Sequence, residues 1–198
     1  MVRFYNVIVI IYKERRFSTM SDVNNYEYTA ENLDKLVTSV VELLLYRGVS
    51  ISTAESCTGG LLSELITSVA GASEIFQLGI CTYSEQMKTE FLGVSPDILR
   101  NYGVVSYETA LAMAAGLKKI SGADICVSVT GIAGPGGGTP EKPVGTVFTG
   151  FDIFGRQTAS QLPFSKITDN SRSGIRMAAA FHIFETIKNA LTEAQLPE

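Results

Sequence analysis

Residues 49–69 read Val49-Ser-Ile-Ser-Thr-Ala-Glu-Ser-Cys-Thr-Gly-Gly-Leu-Leu-Ser-Glu-Leu-Ile-Thr-Ser-Val69. The first six residues form a short β-branched run, which predicts a strand that ends near Glu55. From Leu61 the apolar residues recur at three- and four-residue steps, which predicts a helix that continues to Gly71. A strand that leads through a Gly-Gly turn into a helix indicates an α/β protein, in which ligands bind beyond the carboxyl ends of parallel strands.

The segments on either side extend this alternation of strands and helices. Thr29 is expected to cap an amphipathic helix that stops at Gly48, and Ser106 to cap a long helix that runs to Ile120. The remaining predicted helices are 85–92, 96–102 and 171–191, and the remaining predicted strands are 75–84, 124–130, 144–151 and 157–164. We therefore predict a three-layer α/β/α sandwich with a mixed, mostly parallel sheet and a late antiparallel hairpin.

Length and composition restrict the class of protein. The 198 residues suffice for one domain, which we place at residues 21–198, behind an N-terminal extension of residues 1–20 that is an extra strand or poorly ordered. Apolar residues make up 45% and charged residues 18%, which excludes a wholly disordered chain. A net charge of -4 with scattered basic residues argues against general nucleic-acid binding.

The expected location is the cytoplasm. The apolar run at residues 7–12 is too short to span a bilayer, which takes about 20 residues, and the basic residues follow it rather than precede it. Cys57, Cys81 and Cys126 lack the spacing of a zinc site or a disulfide framework, so free thiols are expected. Carboxylates and the single histidine do not cluster at ligand spacing, and we expect no metal, no other cofactor and no membrane contact.

Two glycine-rich loops, at residues 55–60 and 131–138, follow predicted strands and are the candidate ligand-binding loops. The helix after Gly60 is expected to offer unpaired N–H groups to an anion or an oxyanion. Neither loop matches the Walker pattern, since a Gly-Lys-Ser/Thr ending is missing, and neither matches the dinucleotide fingerprint. A conventional P-loop is therefore not expected.

Ser56, at the strand-to-helix turn, is either the N-cap of the next helix or a nucleophile. A nucleophilic serine needs a base, and the only histidine, His182, lies in an apolar run that favours a structural role. Lys88 is the other candidate base, because burial lowers a lysine pKa, and the Tyr83 hydroxyl between them is a candidate proton relay. Read locally, composition favours an exposed helix lysine for Lys88 and a half-buried sheet residue for Tyr83. Cys57 is either a reactive thiol or a packing residue.

Five motifs, in order, resemble the CinA C-terminal family of nicotinamide-nucleotide amidohydrolases, also called NMN deamidases. They are Thr53-Ala-Glu-Ser-Cys-Thr-Gly-Gly60, Thr82-Tyr-Ser84 with Lys88, Gly103-Val-Val-Ser106, Ser128-Val-Thr-Gly-Ile-Ala-Gly-Pro135 and Glu141-Lys-Pro-Val-Gly-Thr146. The resemblance covers about residues 30–190. It implies hydrolysis of the carboxamide of nicotinamide mononucleotide to nicotinic acid mononucleotide and ammonia, a step of pyridine-nucleotide recycling that needs no metal.

The resemblance also implies the roles of the site residues. Ser56 is the nucleophile, and Lys88, helped by Tyr83, removes its proton to allow formation of an acyl-enzyme. Backbone N–H groups at residues 57–60 are expected to face the oxyanion, and the loop at 131–138 to hold the ribose phosphate. The expected substrate contacts are Glu55, Cys57, Thr58, Gly59, Gly60, Thr130, Gly131, Gly134 and Arg172.

Three further points bear on function. Where the family often has Gly-Asp-Arg before its last helix, this chain has Asn170-Ser-Arg172. The alternative function is a nucleotide-binding or interaction module related to competence-damage proteins, which does not need Ser56, Tyr83 and Lys88 together. The apolar residues Met177, Phe181, Ile183 and Phe184 of the last helix predict a homodimer, although core packing explains much of this pattern.

Overall fold

A five-stranded sheet organises residues 28–193, the part of the chain that the computed structural model describes. Its strands, in the spatial order β2-β1-β3-β4-β5, are β1 (Ile51–Glu55), β2 (Phe76–Cys81), β3 (Ile125–Gly131), β4 (Val147–Ile153) and β5 (Arg156–Gln161). β1 pairs in parallel with β2 and β3, whereas β4 is antiparallel to β3 and β5. Four of these five strands therefore run in one direction, and the predicted mixed sheet with a late hairpin is confirmed.

Helices cover both faces of the sheet. They are α1 (Ala30–Arg47), α2 (Leu61–Thr67), α3 (Glu85–Leu92), α4 (Pro96–Tyr102), α5 (Tyr107–Ser121) and α6 (Arg172–Glu193), with 3-10 turns at Ala72–Glu74 and Phe164–Lys166. α1, α2 and α6 pack on one face, and α3, α4 and α5 cover the other. The predicted three-layer α/β/α arrangement is therefore confirmed.

The core has one apolar cluster on each face of the sheet. On the first face, α1 and α6 bury their apolar side chains against Val127 and Val129 of β3. On the second face, Met113 and Leu117 of α5 pack against Cys126 of β3. The run 125–130 is fully buried, as predicted for a central strand.

Several helix ends agree with the sequence pattern, because they depend on local chemistry. The Thr29 hydroxyl accepts a hydrogen bond from the Asn32 N–H, and Gly48 ends α1 with φ +61°. The Ser106 hydroxyl accepts one from the Thr109 N–H at the start of α5. These are the caps that the sequence predicts.

The end of α2 differs from the prediction, since the helix stops at Thr67 rather than at Gly71. The Thr67 hydroxyl donates to the carbonyls of Ser63 and Glu64, and the Ser68 hydroxyl donates to the carbonyl of Leu65. Side-chain hydroxyls thus occupy carbonyls of the last turn, which is how serine and threonine compete with a continuing helix.

The predicted self-association surface on α6 is wrong. Phe181, Ile183 and Phe184 are at most 2% exposed within the single chain, and Met177 packs partly buried against the same core. The apolar pattern on several sides of α6 is explained by its position between α1 and the sheet. The homodimer stays a prediction, and the proposed extension at residues 1–20 lies outside the described residues. Within residues 28–193, no helix combines the length and the apolarity needed to cross a bilayer.

The register of the parallel strands fixes the position of the candidate site. Glu55 of β1 lies beside Cys81 of β2 and Val129 of β3. The residues that follow these three therefore meet at the same edge of the sheet. This edge carries the loop 56–60, the segment 82–84 and the loop that follows Gly131.

Candidate active site

Ser56 and Lys88 are brought together although 32 residues separate them. Ser56 follows β1, and Lys88 lies in the first turns of α3, whose start is set by the Ser84 side-chain cap on the Met87 N–H. The Lys88 Nζ donates to the Ser56 Oγ at 3.1 Å and to the Thr82 carbonyl at 2.6 Å. Lys88 is only 1% exposed, so the alternative of an exposed helix lysine is wrong.

Burial lowers the pKa of Lys88, because removing the ammonium from water disfavours its charged form. The neighbouring Cys57 and Glu85 act in the opposite direction and oppose part of this shift. Among residues 28–193, no carboxylate forms an ion pair with Lys88. A lysine in this environment gives up its proton more easily than one in water, which suits a base next to a serine hydroxyl.

Tyr83 does not lie between Ser56 and Lys88, so the predicted hydroxyl relay is not present in this structure. The Lys88 amine reaches the serine directly, and the Tyr83 side chain is 63% exposed. The Tyr83 hydroxyl instead accepts a hydrogen bond from the Arg172 Nη2 at 2.9 Å. Tyr83 therefore forms part of the rim of the site, at the carboxyl end of β2.

Glu55 caps α2 and does not face an open site. Its carboxylate accepts hydrogen bonds from the N–H groups of Gly60, Leu62 and Ser63 and from the Ser63 hydroxyl, at 2.8–3.1 Å. The side chain is fully buried, so a direct substrate contact by this carboxylate does not fit the structure. The expectation that the first N–H groups of α2 are unpaired is also wrong, because Glu55 occupies them.

Ser56 is not the N-cap of α2, which starts five residues later, at Leu61, with Gly60 as its cap. The backbone reaches this start through Gly59 and Gly60, both left-handed, with φ +60° and +97°. The Gly59 N–H donates to the Ser56 carbonyl, and the Leu61 N–H donates to the Thr58 carbonyl. In the described part of the chain, the N–H groups of Cys57 and Thr58 donate to no oxygen atom, and the Cys57 N–H interacts with its own Sγ. The N–H groups that remain for an oxyanion are therefore those next to the serine.

Cys57 is a packing residue in this structure. Its side chain is 5% exposed, and burial raises the pKa of the thiol to about 12. A thiol with this pKa stays protonated near neutral pH and is a poor nucleophile. The reactive-thiol alternative is therefore not supported.

The loop after β3 contributes backbone rather than side chains. Thr130 is 1% exposed and its hydroxyl donates to the Val104 carbonyl, so the expected contact of Thr130 with the ribose phosphate does not fit its burial. Gly131 packs against β4, where a Cβ would lie 2.8 Å from Val147. The Gly136 and Gly137 N–H groups donate to no atom within residues 28–193 and remain available to an anion.

Arg172, the first residue of α6, connects two loops of the site. Its Nη1 donates to the Gly134 carbonyl and its Nη2 to the Tyr83 hydroxyl, each at 2.9 Å. The departure from the Gly-Asp-Arg pattern does not displace it, because the Ser171 hydroxyl accepts from the Gly174 N–H and donates to the Asp169 carboxylate. Serine thus starts the helix in the usual way for an N-cap and leaves Arg172 at the rim.

Sequence reasoning missed Arg176, one helical turn after Arg172. The Arg176 Nε and Nη2 donate to the Thr58 carbonyl at 3.0 and 2.6 Å, and thereby hold the loop that carries Ser56. The only available signal was the spacing, since residues four apart share one face of a helix. The partner, 118 residues away along the chain, depends on the tertiary fold.

His182 is structural, as expected from its apolar run. Its Nε2 lies 2.9 Å from the Ser160 hydroxyl on the edge strand β5, and burial lowers the pKa of the imidazole to about 4. Over the residues that the structure describes, no group of three or more His, Cys, Asp or Glu side chains is placed to hold a metal ion. The reactive groups are therefore a serine and a buried lysine.

Comparison with known proteins agrees with the motifs and the fold. The profile of the CinA C-terminal domain matches residues 33–191. This chain belongs to the CinA C-terminal domain family. A CinA-like protein from Kosmotoga olearia is 45% identical over 166 residues, which are 84% of this chain and 39% of that protein. A putative competence-damage inducible protein from a Thermoanaerobacter species is 41% identical over 85% of this chain and 40% of its own length.

Solved structures of the CinA family share the fold. The competence damage-inducible protein A of Klebsiella pneumoniae has a TM-score of 0.77 at 28% identity and covers 82% of this chain and 99% of its own. The competence/damage inducible protein CihA of Agrobacterium tumefaciens has a TM-score of 0.76 at 38% identity, with 81% and 96% covered. By contrast, the chain spans about two fifths of the length of the curated relatives. It therefore corresponds to their CinA C-terminal domain.

Proposed function

We propose that this CinA C-terminal domain hydrolyses the carboxamide of nicotinamide mononucleotide and yields nicotinic acid mononucleotide and ammonia. The observation that carries the proposal is the hydrogen bond between the buried Lys88 amine and the Ser56 hydroxyl, at 3.1 Å. A buried lysine without an ion-pair partner in the described part of the chain is suited to take a serine proton. The choice of substrate rests on the family resemblance of the motifs around these residues.

The proposed reaction has two steps. Lys88 accepts the Ser56 proton while the serine oxygen attacks the carboxamide carbon, and the N–H groups of Cys57 and Thr58 stabilise the oxyanion. The C–N bond then breaks, Lys88 returns its proton to the leaving nitrogen, and ammonia departs. Water attacks the acyl-enzyme in the second step, with Lys88 again as the base, and releases the nicotinate product and free Ser56.

The nucleotide part of the substrate is proposed to lie between the rim and the glycine-rich loop. Arg172 supplies a guanidinium beside Tyr83 and Gly134, where it suits a phosphate group. The Gly136 and Gly137 N–H groups add backbone donors to the same anion. We place the reaction in the cytoplasm, in agreement with the three cysteines, all of which are free thiols.

Ammonia release from nicotinamide mononucleotide tests the proposal. We expect Ser56→Ala and Lys88→Ala each to lower kcat at least about 10²-fold, because each removes a group that takes part in bond making or proton transfer. Lys119→Ala, which removes an exposed lysine of α5, is the matched control and should retain full activity.

The possible results separate the proposed enzyme from its alternative. Equal activity in the wild type and in both site variants would rule out the Ser56–Lys88 mechanism. Absence of ammonia release from the wild type, together with measurable nucleotide binding, would favour a binding module related to competence-damage proteins.

A further inference from the structure

We infer that Arg176 is a positioning residue that strengthens the oxyanion contact beside Ser56 through a chain of backbone hydrogen bonds. The guanidinium makes two hydrogen bonds to one neutral acceptor, the Thr58 carbonyl, at 3.0 and 2.6 Å. In the described part of the chain, it forms no ion pair with a carboxylate. The positive charge of Arg176 is therefore directed at the backbone of the loop 56–60, which carries Ser56.

This carbonyl begins a path through two peptide units. The Thr58 carbonyl is conjugated with the Gly59 N–H, which donates to the Ser56 carbonyl at 3.1 Å. The Ser56 carbonyl is in turn conjugated with the Cys57 N–H, which donates to no oxygen atom among residues 28–193. Peptide resonance links the carbonyl and the N–H of each unit, so a charge on the first oxygen polarises the last donor.

The Cys57 N–H at the end of this path is inferred to bind the oxyanion, a role that rests on the proposed function. The backbone N–H of the residue after a nucleophilic serine is a recurrent oxyanion donor, and here that residue is Cys57. A more polarised Cys57 N–H binds the oxyanion of the transition state more strongly than the neutral carbonyl of the substrate. Arg176 is therefore expected to raise kcat and leave KM nearly unchanged.

Arg172 offers an internal contrast, since it lies on the same helix, one turn earlier. Its guanidinium contacts the Tyr83 hydroxyl and the Gly134 carbonyl and has no hydrogen bond to the loop 56–60. Replacing Arg172 is expected to change KM through the nucleotide, and replacing Arg176 to change kcat. The two arginines thus separate substrate binding from oxyanion stabilisation.

The test measures the rate at which a fluorophosphonate probe modifies Ser56. Lys88 takes the Ser56 proton, the serine oxygen forms a bond to phosphorus, and fluoride leaves. The phosphoryl oxygen uses the same donors as an oxyanion. This readout does not depend on nicotinamide mononucleotide as the substrate. Arg176→Gln keeps a neutral donor, Arg176→Lys keeps the charge, and Arg100→Gln, an exposed arginine on α4, is the control.

We expect Arg176→Gln to lower both the labelling rate and the kcat for ammonia release about tenfold, which is less than loss of an oxyanion donor itself. Arg176→Lys should recover part of this loss, and Arg100→Gln should match the wild type. Thermal unfolding of each variant serves as the measure of a purely structural effect.

Several outcomes would overturn the inference. One is wild-type labelling by Arg176→Gln. Another is equal loss in the Lys and Gln variants with a matching drop in the unfolding midpoint, which would make Arg176 a simple tether. A change confined to KM would make it a substrate ligand. If the probe does not label the wild type, there is no reactive Ser56 with an oxyanion site, and the inference fails. If the wild type is labelled but releases no ammonia, only the proposed substrate is contradicted.

Discussion

At the scale of single residues, the buried amine of Lys88 determines the chemistry, and its protonation should be visible in the pH dependence. Burial lowers the pKa of Lys88, so its neutral, basic form appears at lower pH than for a lysine in water. We expect kcat/KM for ammonia release to rise with pH through an apparent pKa below the ordinary lysine value of about 10.4.

Glu85 provides a matched variant for this pH profile. Its carboxylate raises the pKa of Lys88, so Glu85→Gln should move the rising limb to lower pH. The Glu85 side chain is exposed and forms no hydrogen bond with Ser56 in the described structure, so screening by water keeps this displacement small. A rising limb that persists unchanged in Lys88→Ala would assign it to another group and contradict the role of Lys88.

The residues of the site differ in how far the sequence could predict them. The type and position of Ser56 and Lys88 came from motifs, whereas local reasoning favoured a helix cap and an exposed lysine. Glu55 was misread because its neighbours in sequence do not tell whether the carboxylate turns outward or back onto α2. Tyr83 and Arg176 depend on partners that are 89 and 118 residues away, which only the folded chain brings near.

At the scale of elements, α2 depends on a side chain from the strand that precedes it. The Glu55 carboxylate accepts four hydrogen bonds at the start of α2, where the helix dipole also favours a negative charge. Glu55→Gln should lower the free energy of unfolding by about 2 kcal/mol, because the new NH₂ group faces N–H donors. Urea unfolding measures this loss.

Glu64 on the same helix is the control for this prediction. Its side chain is exposed, and its carboxylate accepts no hydrogen bond in the described structure, so Glu64→Gln should change the free energy of unfolding by less than about 0.5 kcal/mol. Equal effects of the two substitutions would mean that the Glu55 contacts add nothing specific to the stability of α2.

The predicted elements were accurate where local signals sufficed. The caps at Thr29 and Ser106 and the helix Glu85–Leu92 follow from residue types a few positions apart. The early end of α2 was missed, because competing hydroxyls at Thr67 and Ser68 are not visible in an apolar pattern. The strand order is set by contacts between residues distant in sequence. The alternation of strands and helices therefore predicted only that the sheet is mixed, not the order of its strands.

At the scale of the whole molecule, the same limit applies to α6. Its apolar residues suggested a contact between two chains, yet they are needed to fill the space between α1 and the sheet. A helix covered on two sides shows apolar residues around much of its circumference, so its pattern resembles that of an interface. Burial within one chain removes this basis for the predicted dimer.

His182 of α6, which lies beside Ser160 of β5, should make the stability of the whole fold depend on pH. His182 is neutral in the folded chain, because burial and the nearby Lys166 lower its pKa to about 4. The Glu185 carboxylate raises this pKa and so opposes part of the shift. In the unfolded chain its pKa is about 6.5. Between these values the unfolded chain binds more protons, so this contribution to stability is complete above pH 6.5 and is lost as the pH falls toward 4.

We therefore expect the free energy of unfolding of the wild type to fall with decreasing pH in this window, by at most about 1.4 kcal/mol per pH unit from this group. His182→Gln retains a donor for the Ser160 hydroxyl but does not titrate, so its stability should fall less steeply than that of the wild type. Because carboxylates such as Asp124 also titrate toward acid pH, the difference between the two urea-unfolding curves isolates the histidine. Curves that stay parallel from pH 7 to pH 4 would show that His182 is protonated equally in both states and is not buried as a neutral imidazole.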